Sequence, residues 1–205
     1  LNAMQHSLIA AASAATAGIG ISCVMAYLLT RTRARGRRIP DFLITLGSGT
    51  PSIVIALGLI MTMNGKFVIN IYNTLLIMII AYMIKYLLMG MRTIVSAMTQ
   101  IHASLEEAAL ISGASWFRSF KDITIPLIAP SVVAGWFLIF MPCFYELTMS
   151  TILYSTNTTT IGVILFRFQD YDSQQMASTM AGAILIFIVL VNWLLNKLTK
   201  GKFSI

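Results

Sequence analysis

Residues 106–126 read EEAALISGASWFRSFKDITIP, a polar island set between long apolar runs. Such an island reads as a loop on one side of a membrane. Ser104 stands just ahead of it, placed to cap a short helix. Its hydroxyl can accept from the Glu107 N–H while Glu107 reaches back to the Ser104 N–H, a capping box. Glu106 and Glu107 then fall in the first turn, where the helix dipole favours negative charge. Gly113 can turn left-handed and end the helix. A second short segment carrying Trp116, Phe117 and Phe120 follows, and Pro126 and Pro130 frame re-entry into the bilayer. A loop ordered this way reads as a docking element rather than a tether.

The flanking chain fits that reading. It is 58% hydrophobic and 10% charged, with a mean hydropathy of +0.83, against roughly 25% charged residues in soluble domains. Apolar runs near 20 residues suit bilayer-spanning helices. Five are expected, at His6–Leu29, Phe42–Met63, Tyr72–Met91, Pro130–Met149 and Gln175–Asn196. The fold class is therefore all-α, a polytopic transmembrane helix bundle forming a single domain over 1–205, with the cytoplasmic loop spanning about 92–129. No repeat or low-complexity linker divides it. No basic stretch precedes the first span, so it does not read as a cleaved signal peptide.

The net charge of +7 has a topological meaning. Arg31, Arg33, Arg35, Arg37 and Arg38 crowd the loop after the first span, Arg118 and Lys121 lie after the third, and Lys197, Lys200 and Lys202 follow the fifth. The other side holds Lys66 and Arg167, the latter beside Asp170 and Asp172. The positive-inside rule puts the arginine loop, the 106–126 loop and the C-terminus in the cytoplasm, and the N-terminus outside. The basic cluster is short and abuts a span, so topology outweighs nucleic-acid binding as its explanation.

The loop also carries a family resemblance. Glu107-Ala108-Ala109, then Gly113, Ile123 and Pro126, resemble the signature cytoplasmic loop of ATP-binding-cassette importer permeases: Glu-Ala-Ala, three residues, Gly, nine residues, Ile, one residue, Leu, Pro. Ile125 stands where that pattern has Leu. The resemblance covers nearly the whole chain. The Pro51 region, the loop and the Tyr145-Glu146-Leu147-Thr148 stretch look most like the subgroup serving ferric iron, thiamine and similar small solutes. It implies a membrane subunit of a bacterial-type inner membrane, working with a second permease half, cytoplasmic ATPase subunits and an extracytoplasmic solute-binding protein. The ATPase-coupling residues would be Ser104, Glu106, Glu107, Ala108, Ala109, Gly113, Ile123 and Pro126. ATP would bind the partner, and this chain would hold no cofactor of its own. Permeases of this type carry at least one further helix before this start, so the chain reads as a fragment or the C-terminal half of a longer one.

Within the spans, Ala10, Ala14 and Gly18 recur every four residues, as do Ala177 and Ala181, and Ser178 and Gly182. Small residues so spaced let helices pack closely in lipid, here within one chain. Gly47, Gly49, Pro51 and Gly58 make the second span irregular, and broken backbone is tolerated at membrane depth only inside protein or along a cavity. Glu146 is a carboxylate in an apolar run, a costly placement. It either lines the outer translocation path with Pro51, Tyr145 and Thr148 or is hydrogen-bonded within the bundle; both readings stand. Lys85, about two turns from the cytoplasmic end of its span, is expected to snorkel to that interface. The 13 methionines read as core filling, and Cys23 and Cys143 as buried thiols. His6 and His102 lie on opposite sides and cannot share a metal. No nucleophile elbow, zinc pair or phosphate loop appears, so a transport subunit is expected rather than an enzyme. The rival classes are an ion-gradient-driven secondary transporter or channel, which calls for charges spread through several spans and inverted repeats, and a structural subunit, which needs no signature loop.

Overall fold

The computed structural model describes residues 2–65, 69–170 and 174–198. Lys66, Asp172, Lys200 and Lys202, read above as loop charges, lie outside them. Every regular element among the described residues is helical. They run α1 (Asn2–Arg31), α2 (Arg38–Gly49), α3 (Ser52–Thr62), α4 (Leu75–Gln100), α5 (Ala103–Ile111), α6 (Trp116–Ser119), a π-helical turn (Phe120–Thr124), α7 (Ile125–Phe144), α8 (Thr148–Leu153), α9 (Ile161–Asp170) and α10 (Gln174–Leu198). Among them α1, α4, α10 and the joined stretch Trp116–Phe144 are long and apolar enough to cross a membrane, and α2 with α3 makes a fifth span if the bent pair counts as one.

The core is the mutual packing of α1, α4 and α7. Ala10, Ala14 and Gly18 face it as the spacing required, with both alanines fully buried. The tightest point is glycine on glycine. A Cβ added at Gly90 would lie 2.6 Å from Ile139 Cδ1, and one at Gly135 would lie 2.8 Å from Ile19 Cδ1 and 3.5 Å from Gly90 Cα. Close backbone approach substitutes in lipid for the hydrophobic drive that water supplies elsewhere. The second small-residue row behaves differently. Ala177 is half-buried, while Ser178, Ala181 and Gly182 are exposed along α10 among the described residues.

The span boundaries shift for physical reasons. α4 runs nine residues past the expected Met91 to Gln100. At 26 residues it is about 39 Å long, longer than the ~30 Å hydrocarbon core. The added stretch carries Arg92, Thr93, Ser96, Thr99 and Gln100, so hydropathy gives little signal there although the helix continues. The fourth span starts at Trp116 instead of Pro130. The Pro126 ring would clash with the carbonyl of Asp122, four residues back, and the π-helical turn, with the Ile125 N–H bonded to Phe120 O, re-spaces that segment. The expected re-entry point is thus interior helix, and Pro130 lies inside α7. The same span ends at Phe144, five residues before the expected Met149.

The second span is broken: α2 and α3 meet at 110°. Thr50, pushed to extended backbone (ψ 136°) ahead of Pro51, ends α2, and Pro51 opens α3. Lys85 closes the break, its Nζ donating to Ser48 O at 3.0 Å and Thr50 O at 2.8 Å. The expected snorkelling is therefore wrong. With α4 extended to Gln100, Lys85 is mid-helix, and carbonyls freed by the break are nearer partners than the interface.

Candidate functional site

The 106–126 loop folds into a compact bracket at the ends of α1, α4 and α7. α4 stops at Ile101 in extended backbone, His102 serves as N-cap and α5 begins at Ala103. The Ser104 capping box does not form, because Ser104 is already inside the helix, where its side chain cannot fold back over the first turn. The inward-turned acid is Glu106, not Glu107. Its Oε1 lies 3.0 Å from Arg31 Nε and accepts from Thr124 Oγ1 at 3.0 Å, while Arg31 Nη2 donates to Ile101 O at 2.9 Å. One guanidinium and one carboxylate thereby tie α5 to α1, to the C-terminus of α4 and to the π-helical turn. The side chains of Arg31 and Glu106 are only 11% and 17% exposed, so their attraction is less screened than on an open surface.

The far end of α5 closes as the sequence implied. Gly113 takes φ +88°. The Ala114 N–H bonds to Ala109 O and the Gly113 N–H to Leu110 O, both at 3.0 Å, the paired 6→1 and 5→2 bonds of a Schellman stop. Ser115 then caps α6, its Oγ accepting from the Arg118 N–H at 3.3 Å. Trp116 and Phe120 stack with ring centroids 5.5 Å apart, both edge-on to Tyr27 of α1, and Trp116 Nε1 donates to Tyr27 Oη at 2.6 Å. Arg118 and Asp122 form an exposed pair that contributes little.

This bracket leaves an apolar face open. Ile111 is 87% exposed, and Leu105, Leu110 and Phe117 are also exposed beside Glu107 and Ala108. Ala109 and Ile123 are half-buried and Pro126 is exposed. A patch of exposed large apolar side chains beside charged residues is a candidate interaction surface.

The second group of expected residues sits around Glu146. The residue is buried, in the break between α7 and α8 rather than inside a span, so the apolar run that singled it out is not one helix. Its carboxylate accepts from Tyr86 Oη and, at 3.1 Å, from the Met149 N–H in the first turn of α8. Its carbonyl accepts from Ser150 Oγ at 2.6 Å, and that hydroxyl meets Tyr82 Oη at 2.6 Å. Gly162 of α9 is pressed so close that a Cβ there would be 2.4 Å from Glu146 O. Tyr145 is exposed, Thr148 is half-buried, and exposed Pro51 bonds within α3 through Val54 and Ile55.

Sequence reasoning did not single out Tyr27, Tyr82 or Tyr86, and it read Arg31 only as topological charge. Arg31 and Glu106 are 75 residues apart, a separation that no helical period links. The usable signal was the doubled acid Glu106-Glu107: a short helix with one face inward can aim only one of them at a buried cation.

Residues 18–203 match the family described as "Binding-protein-dependent transport system inner membrane component". The Fe(3+)-transport system permease protein FbpB 2 of Haemophilus influenzae is 27% identical over 186 residues, covering 91% of this chain and 36% of that relative, so the chain spans about a third of the relative's length. The sulfate transport system permease protein CysT of Escherichia coli is 29% identical over 191 residues, covering 85% of this chain and 69% of CysT. Among solved structures, one of the MetNI methionine ABC transporter in an inward-facing conformation superposes with a TM-score of 0.79 at 15% identity, covering 98% of this chain and 95% of that chain. At that identity it shows a shared fold.

Proposed function

The chain belongs to the family of binding-protein-dependent transport system inner membrane components, and from that premise we propose that it is the membrane-spanning permease subunit of an ATP-dependent solute importer. The observation that carries this reading is the α5 bracket: the family's signature residues form a short helix, pinned by Glu106 and stopped at Gly113, with an apolar face turned outward. Hydrolysis belongs to partner ATPase subunits that dock on that face. A second permease half completes the pathway, and an extracytoplasmic binding protein delivers solute. Nucleotide-driven closure of the ATPase pair pushes α5. The Arg31–Glu106–Thr124 clasp passes the push to α1, α4 and α7, and the bundle rocks between two states biased by nucleotide. The arginine loop and α5 face the cytoplasm of a bacterial-type inner membrane and the N-terminus faces out, as the loop charges favour. Pro51, Tyr145, Thr148 and Glu146 are the proposed path residues: Pro51 and Tyr145 are exposed, Thr148 is half-buried and Glu146 is buried in the α7–α8 break. Ferric iron or a similar small solute is the finer reading, supported by the ferric relative, while the binding protein sets selectivity.

A graded series at one position tests the docking role. No atom lies within 4 Å of a Cβ added at Gly113, so substitution there costs backbone strain alone. Gly113→Asn tolerates φ > 0, whereas Gly113→Val costs about 1–3 kcal/mol. ATPase retention on purification is expected to fall from wild type through Asn to Val, and with Ile111→Glu, while membrane levels hold. Wild-type retention and uptake in Gly113→Val/Ile111→Glu would sink the assignment.

A further inference from the structure

A cleft of about 480 Å³ lies between the ends of α1, α2 and α4, with Arg37 of the arginine-rich loop in its wall. Arg31, Arg37, Arg38 and Arg92 line it, with Asp41 and Thr99 among the remaining lining groups. The charges do not cancel. Asp41 is taken by Arg92, Oδ1 to Nη2 at 2.9 Å, and Glu106 by Arg31 at 3.0 Å. Arg37 spends one Nη1 donor on the Thr32 carbonyl. Neither Arg37 nor Arg38 meets a carboxylate among the described residues. Two guanidinium charges are therefore left uncompensated in one concavity. The 12-residue α2 starts there too, with Arg37 at its N-cap and no side-chain cap, adding partial positive charge.

We infer that this cleft binds a phosphate-bearing anion. Guanidinium forks match tetrahedral oxyanions through paired N–H donors, and the two uncompensated ones, Arg37 of the loop and Arg38 at the start of α2, line the same cleft. Leu29 and Val95 add an apolar wall, so the cleft accepts either free phosphate or the phosphodiester of a lipid headgroup. Basic pockets between spans on the cytoplasmic side hold anionic headgroups by the same chemistry. Because Arg31 is both a wall of the cleft and half of the clasp on α5, occupancy would bear directly on that helix.

The protein purified in its native assembly is placed in phosphatidylcholine nanodiscs. One arm adds spin-labelled phosphatidylglycerol and reads the immobilised fraction. The other adds inorganic phosphate and reads phosphorus NMR line broadening. Binding of the lipid alone or of phosphate alone identifies the source, and either supports the site. Arg37→Gln/Arg38→Gln is expected to weaken the probe that binds about thirtyfold. The control is Arg33→Gln/Arg35→Gln, which removes equal charge from the same loop but from residues that do not line the cleft; it should change binding far less. Should the first double variant fail to assemble, Arg38→Gln replaces it: that residue is exposed and should cost about fivefold. Equal loss in cleft and control variants, or neither probe binding above phosphatidylcholine alone, would overturn the proposal.

Discussion

At Arg31 a single guanidinium serves two acceptors, Glu106 Oε1 through Nε and Ile101 O through Nη2. Both ion-pair partners are mostly enclosed, so removing one strands the other. Arg31→Met leaves the Glu106 carboxylate with the Thr124 hydroxyl alone, and a broken enclosed pair costs about 3–5 kcal/mol. Arg31→Lys keeps the charge but not the fork, and the cost should be smaller. Arg31→Met/Glu106→Met removes both charges and should recover most of the lost stability. Thermal unfolding of the purified protein checks this double-mutant cycle. Additive losses in the double variant would show that the pair does not act as a unit. A structural pair restores only stability. If the clasp also transmits, the double variant should be stable while solute-loaded binding protein no longer stimulates ATP hydrolysis.

At the scale of elements, adjacent residues of α4 hold two interruptions in the helical framework. Lys85 caps the carbonyls at the α2–α3 break, and Tyr86 donates to Glu146 at the α7–α8 break. Broken backbone inside a membrane needs internal partners, and α4, packed against α2, α3, α7 and α8, is placed to supply them. Lys85→Met leaves the Ser48 and Thr50 carbonyls without their cation. Hydrogen bonds to charged groups contribute about 1.5–3 kcal/mol each, so the break should loosen. Hydrogen exchange at residues 48–52 should speed up in Lys85→Met and stay near wild type in Lys85→Arg. Unchanged exchange in the Met variant would mean that water already satisfies these carbonyls.

Across the whole molecule, the charge pattern predicts the orientation. With Cys23 and Cys143 replaced by Ala, Asn157→Cys, exposed in the loop before α9, should react with an impermeant thiol reagent in intact cells. Ser112→Cys, exposed at the end of α5, should react only after permeabilisation. The reverse pattern would invert the topology. Much of this architecture was legible in the sequence, because apolar runs and small-residue spacing are local signals and Gly113 announced its own turn. The missing parts are those set by distant partners. Glu106 rather than Glu107 faces inward because Arg31 is there, and Lys85 turns to a break whose depth only the folded helices define. The length of α4 was hidden because a helix keeps its backbone hydrogen bonds through a polar stretch where hydropathy falls away. Pro126, which reads as a boundary, is absorbed by a π-helical turn that no residue type announces.

The proposed function rests on α5 docking an ATPase subunit through its exposed apolar face. Ile111, at 87% exposure the most open large apolar residue of that face, is the position to probe. A photoreactive amino acid placed there, with Asn157 as the control, is irradiated in intact cells and the adducts are identified by mass spectrometry. An adduct between position 111 and an ATP-binding-cassette ATPase subunit is expected, with none from position 157. Adducts to lipid alone at position 111, or the same ATPase adduct from both positions, would contradict it.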